Sequence, residues 1–280
     1  MIQDIAPHLY HNAYLPRAPR EGDQVLLCRP NGVFLREQPA AYPEALRLSP
    51  NGEHLRYLFA IDETAFYLWE GELPVLDAFP AEEGWGWHAT EIFRFLEPRF
   101  LGFAGITGYR LWLWYGSNRF CGRCGKPLIH HDTLRALSCP ECSTLIFPTI
   151  SPCVIVAVTN GDRLLLTHYA AGHSNYRHYA LIAGYTETGE SLEDSVHREV
   201  FEETGLRVKN LRFYKSQPWP FSGTILAGFF CELDGSDEIT LEKEELSEAV
   251  WLTCDEIPVP NDHSSITNEM IDVFCGRFPG

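Results

Sequence analysis

The sequence predicts three parts: an α+β amino-terminal domain over residues 1–115, a zinc ribbon over 116–150, and an α/β/α sandwich with a mixed sheet over 151–280. Three observations carry that division. Short apolar runs separated by turn residues fill the first part, then lengthen to a helical pattern near residue 90. Two CxxC pairs stand in the middle. Beyond residue 151, strand-like runs are interleaved with amphipathic helical segments, the order that builds a layered sheet.

In the first part, strands are expected at 24–28, 32–36, 55–61 and 65–69, separated by breaks such as RPNG and SPNG. Residues 90–115 read as helix despite Gly102, Gly105 and Gly108. Nothing in this part specifies chemistry. In the second, Cys121, Cys124, Cys139 and Cys142 form two knuckles with 14 residues between the pairs. Four thiolates so arranged close a tetrahedral site for one structural Zn2+, with no open position for catalysis. His130 and His131 lie between the knuckles and read as bystanders. Nine cysteines, an odd number with four of them in two CxxC pairs, read as metal binding and not disulfides in a chain without an export signal.

In the third part, 153–158 (CVIVAV) reads as a buried strand, Asn160-Gly161 as a hairpin turn and 164–167 as the returning strand. A strand over 179–183 then leads into a helix. Ser191 is its expected N-cap, Asp194 its reciprocal partner, and Gly205 its stop. Leu192, Val196 and Val200 mark the buried stripe. Strands follow at 207–215 and 224–233, then 239–241 and the acidic run 242–248. In a closing helix Ile266, Met270 and Phe274 share a face.

Composition narrows the function classes. With 45% apolar residues the chain can bury real cores, and disorder is not expected. A net charge of −16 disfavours a broad grip on a nucleic-acid backbone, without excluding one nucleotide or one RNA end. No apolar run approaches the ~20 residues that span a bilayer. The termini show neither a signal peptide nor a lipidation motif, so no membrane partner and a cytoplasmic location are expected.

The chemistry concentrates in residues 184–206. Glu199, Glu202 and Glu203 fall at i, i+3 and i+4, on one side of the expected helix. Like charges that close repel, so a cation is expected among them, and an all-oxygen set suits Mg2+ or Mn2+. Arg198 is expected to pair with Glu190 and hold the preceding loop. The alternative is a solvated acidic helix face.

The spacing of Gly184, Glu190, Arg198-Glu199, Glu202-Glu203, Gly205 and Leu206 resembles the Nudix hydrolase signature. Together with the preceding ribbon and the following SQPWPF (216–221), the chain resembles the zinc-containing NADH pyrophosphatases, also described as NAD-capped RNA hydrolases. The resemblance implies hydrolysis of the pyrophosphate of NAD(H) to nicotinamide mononucleotide and AMP, and removal of an NAD cap from RNA. It implies Glu203 as general base, with Glu199, Glu202, Arg198 and Glu190 completing the catalytic set. Mg2+ or Mn2+ would be held by Glu199, Glu203, Glu245 and the backbone carbonyl of Ala183.

For substrate the resemblance implies Tyr185 and Phe147 as aromatic surfaces. It adds the segment Gln217, Pro218, Trp219, Pro220, Phe221, Ser222, Gly223 and Thr224, together with Glu245 and Thr267. Trp219 and Phe221 read equally well as packing residues, while an exposed acidic loop residue is the lesser reading of Glu245. Ser222 and Thr224 stand where the family motif has proline and serine, and Phe147 where it often has tyrosine. A homodimer is also implied. Two other readings stay open: a Nudix hydrolase for ADP-ribose or another nucleoside diphosphate derivative, and a zinc-ribbon regulatory protein with a vestigial catalytic domain.

Overall fold

The computed structural model describes residues 1–73, 76–170, 178–258 and 263–277. Two compact units divide the chain, one over Ile2–Thr149 and the other formed by Met1 and Ile150–Gly280.

The first unit carries a seven-stranded sheet and a helix over Arg99–Ser117. The expected strands form at Gln24–Arg29, Gly32–Glu37, Leu55–Ile61 and Thr64–Trp69. The single helix expected over 90–115 is instead two pieces, a 3-10 segment at Thr90–Arg94 and the helix beginning after Pro98. Proline disfavours helical backbone in the residue before it, which explains the break at Glu97. The glycines that weaken the helical pattern are spaced by three and face the packing side. A Cβ at Gly105 would overlap Tyr42 and Phe93, and one at Gly108 would overlap Leu26. Helix propensity is given up there for close approach of helix and sheet.

The ribbon lies within this unit as three two-residue strands, Ile129–His130, Leu137–Ser138 and Leu145–Ile146. His130 does turn away from the cysteines, pairing with Glu70 at 3.0 Å. His131 Nδ1 accepts from the backbone of Thr133 and Leu134.

In the second unit the strands are β1 (Ser151–Asn160), β2 (Arg163–Tyr169), β3 (Ile182–Tyr185), β4 (Val208–Trp219), β5 (Thr224–Leu233) and β6 (Leu246–Thr253). The helices are α1 (Leu192–Thr204) and α2 (Ile266–Phe274). The sheet runs β4-β5-β1-β2-β6, with β3 also paired to β1. β1 and β5 are parallel and the other pairs antiparallel, so the sheet is mixed.

Side-chain alternation along β1 explains the two helical layers. Val154, Val156 and Val158 share a core with Val196 and Val200 of α1. Cys153, Ile155 and Ala157 share the other with Ile266, Met270 and Ile271 of α2. A strand buried on both faces reads as a continuous apolar run, as CVIVAV does.

Two expected boundaries move. The strand placed at 179–183 forms at Ile182–Tyr185, because pairing with Cys153–Val156 of β1 selects it, while Ala180 makes only a bridge to Thr167. The strand expected to stop at Lys215 continues to Trp219 alongside β5, so most of SQPWPF is strand.

Candidate active site

Helix α1 forms where its local signals place it. The Ser191 hydroxyl accepts from the Asp194 amide at 3.1 Å and the Asp194 carboxylate reaches back to Ser191, a capping box. Gly205 ends the helix in the left-handed region at φ 70°. Between these ends Glu199 and Glu203 occupy the buried face with Val196 and Val200, only 8% and 5% exposed. Glu202 points to solvent.

Arg198 draws the acidic residues together. Its Nε and Nη2 donate to both oxygens of Glu190 at 2.8 Å, and Nη1 donates to Glu199 at 2.7 Å and Glu202 at 3.0 Å. Nη2 also donates to the Tyr185 carbonyl at 2.9 Å, tying β3 to the helix. The Glu190 carboxyl is pushed down to about 2, first by the Arg198 hydrogen bonds and then by the Glu187 amide. Sequence reasoning missed Ser195, which is fully buried and donates to Glu190 at 2.8 Å. A serine one turn after an N-cap was the available signal.

The buried carboxyls behave in the opposite way. Burial pushes Glu203 up to about 8, reinforced by the negative charges of Glu199 and Glu245 and opposed by a backbone hydrogen bond from Ala183. Burial likewise raises Glu199, with Arg198 pulling against it. Water is largely excluded and the net local charge is negative. Such a donor set fits a divalent cation, which would relieve the repulsion that now favours protonation.

Gly184 is required beside this pair. A Cβ at that position would fall inside the Glu199 carboxyl. The glycine is therefore a gap that lets the β3 backbone approach the acid.

Glu245 lies just before β6, exposed, with its amide bonded to Glu242 at 2.9 Å and its carbonyl accepting from Ala170 at 2.8 Å. Its negative charge raises both Glu199 and Glu203, although among the described residues only the four ribbon cysteines gather their ligand atoms into one compact group. Tyr185 is 55% exposed at the end of β3, presenting its ring to solvent. Phe147 is exposed too, and belongs to the first unit.

The 217–224 segment divides by burial. The Gln217 side chain is fully buried and already engaged: Nε2 donates to Ser264 O at 2.8 Å and Oε1 accepts from Ile266 N at 2.6 Å. Pro218 is exposed, and Pro220 is half-buried. Trp219 packs against the α2-side core and stacks obliquely on Phe221, with centroids 4.8 Å apart. Ser222 and Thr224 hydrogen-bond through their hydroxyls at 2.9 Å, closing the turn around Gly223 without a proline. Thr267 is half-buried in the first turn of α2.

In the first unit, one ligand atom from each of Cys121, Cys124, Cys139 and Cys142 lies within 4.8 Å of every other. Adjacent sulfurs approach to 3.4–3.6 Å, the geometry of a closed zinc ribbon. The reading of all cysteines as unpaired in disulfides is corrected at one place. Cys254 and Cys275 are joined, with Cα atoms 5.3 Å apart. They lie 21 residues apart in sequence, and only the packing of α2 beside the end of β6 brings them together.

Residues 149–274 match the family described as NUDIX domain, and residues 117–147 the one described as NADH pyrophosphatase zinc ribbon domain. A relative from Citrobacter koseri, named NAD-capped RNA hydrolase NudC, is 40% identical over 167 residues. One of the same name from Salmonella paratyphi B is 40% identical over 165 residues. Each alignment covers 59% of this chain and 63% of the relative, so the chain spans about three fifths of their length. A Nudix hydrolase structure from Nitrosomonas europaea is 26% identical, with a TM-score of 0.48 over 57% of this chain and 92% of that one.

Proposed function

The chain joins a Nudix domain to an NADH pyrophosphatase zinc ribbon domain, and from that premise we propose that it hydrolyses the pyrophosphate bond of NAD(H). The products are nicotinamide mononucleotide and AMP, and the same cut removes an NAD cap from an RNA 5′ end. The observation that carries this reading is the buried Glu199–Glu203 pair, on which the charge of Glu245 acts, in a chain that also holds the four-cysteine cluster.

Glu199, Glu203, Glu245 and the Ala183 carbonyl would hold Mg2+ or Mn2+. When bound, such an ion neutralises the diphosphate and lowers the pKa of a coordinated water. Glu203 accepts the proton of the attacking water from its place on the buried face of α1 beside Glu199. Arg198 holds Glu199 and the 185–190 loop in place through its four partners. Tyr185 offers a flat exposed surface for the nicotinamide. Thr267 and the 217–224 turn complete the substrate side. We place the protein in the cytoplasm as a homodimer, an assembly that sedimentation would read directly.

The deciding experiment offers NADH, NAD+, ADP-ribose and NAD-capped RNA at equal concentration with Mn2+ or Mg2+ and resolves the products. Turnover of a nicotinamide substrate ahead of ADP-ribose is expected. The reverse order would replace this reading with an ADP-ribose hydrolase.

A further inference from the structure

Of the nine cysteines, four form the ribbon cluster and three, Cys28, Cys153 and Cys231, are buried free thiols whose burial raises their pKa. A raised, enclosed thiol is a poor participant in thiol exchange. Cys254 and Cys275 differ from all of these: they are bonded to each other and both are half-buried, open to a reagent from solvent.

What the bond fastens is the helix that grips β4 just ahead of the 222–224 turn. Cys254 directly follows β6, and Cys275 caps the C-terminus of α2. At the other end of α2, Ser264 O and Ile266 N hold the two ends of the buried Gln217 amide. Further along, Glu269 accepts from the Tyr214 hydroxyl at 2.8 Å and pairs with Lys215. Helix α2 thus anchors β4 at residues 214, 215 and 217, immediately before the turn at Ser222 and Thr224. Gly228 of β5 makes the seat tight, since a Cβ there would overlap Met270 and Ile266.

We propose that Cys254–Cys275 is a redox-modification site whose opening loosens the grip of α2 on Gln217 and so alters the 217–224 turn. The reaction is ordinary exchange with a dithiol. One thiolate of the reductant attacks a cysteine sulfur, the S–S bond breaks, and the leaving sulfur takes a proton. The second thiol then resolves the mixed disulfide. Two electrons and two protons pass to Cys254 and Cys275, and the reductant leaves as a cyclic disulfide.

The reduced protein stays folded, because Arg277 still ties the helix end to the segment after β6 through the Cys254 and Ile257 carbonyls, and the buried Ile266, Met270 and Ile271 of the α2-side core remain in place although Cys275 packs at its edge. The bond constrains a loop of the chain, so its loss enlarges local opening of α2 first.

The link to substrate rests on the hydrolase reading; the link to Gln217 does not. Full-length, zinc-loaded protein is compared in three forms: oxidised, reduced with dithiothreitol, and C254S/C275S, which is open without reductant and leaves the ribbon undisturbed. Mass spectrometry after alkylation should find the 254 and 275 peptides joined only in the oxidised form. Amide exchange at Ile266, which donates to Gln217, should rise about tenfold in both open forms. The KM for NADH should shift at least about threefold with kcat little changed, reversibly in the wild type alone.

Free thiols at both positions in the oxidised sample, or equal Ile266 exchange in all three forms, would overturn the site. Altered exchange with an unchanged KM would overturn its coupling to substrate. If NADH is not hydrolysed at all, Ile266 exchange still decides the redox inference, and only the hydrolase reading falls.

Discussion

Glu203 sits in a conflict between burial and charge. Its carboxyl stands at about 8 against an ordinary 4.5, so between those values the folded, metal-free protein binds a proton that the unfolded chain has lost. Stability of the metal-free protein should therefore fall as pH rises from about 4.5 to about 8 and then level off. Metal binding displaces that proton, so Mn2+ affinity should strengthen over the same window. Thermal melts and calorimetric titrations across pH measure both trends, and a flat affinity profile would contradict the assignment. Glu203→Gln should lower kcat by about 10² to 10⁴, while removing the pH slope and raising the melting temperature of the metal-free protein above pH 8. Gly184→Ala should displace the Glu199 carboxyl and weaken Mn2+ binding, read by electron paramagnetic resonance, while the ribbon keeps its zinc.

At the scale of elements, α1 is held at its start by Ser191 and Asp194 and at its end by Gly205. Ser191→Ala should cost about 1 kcal/mol of stability, measured by denaturant titration, and an unchanged midpoint would show that the cap is not needed. The helix was legible in the sequence because every signal for it is local: a cap, a four-residue apolar spacing and a terminating glycine. The Arg198–Glu190 pair was legible for the same reason. Its further bonds to Glu199, Glu202 and the Tyr185 carbonyl were not, since they depend on where β3 passes. Gln217 shows the same limit. In sequence the resemblance implies a substrate contact for it, but in the fold its amide bridges β4 to the start of α2 across 47 residues.

For the whole molecule, the ribbon and the Nudix domain make separable predictions because they occupy different compact units. Cys121→Ser should lose zinc and destabilise the unit that holds the ribbon, since structural zinc contributes directly to folding free energy. Zinc analysis alongside a melting curve checks this, and normal stability without zinc would refute the structural role. Among the described residues no helix is long and apolar enough to cross a membrane, as the hydropathy pattern implied.

The sequence by itself determined the carboxylate helix, the four-cysteine cluster, the alternation of CVIVAV that seats a helix on each face of the sheet, and the family resemblance. These depend on spacings within a few residues, or on a motif read whole. Tertiary structure alone decided the burial that lifts Glu203, the gap at Gly184 that admits Glu199, the engagement of Gln217 and the pairing of Cys254 with Cys275. Each of these is set by strands and helices distant in the chain, and contact between distant segments leaves no periodicity for a single sequence to show.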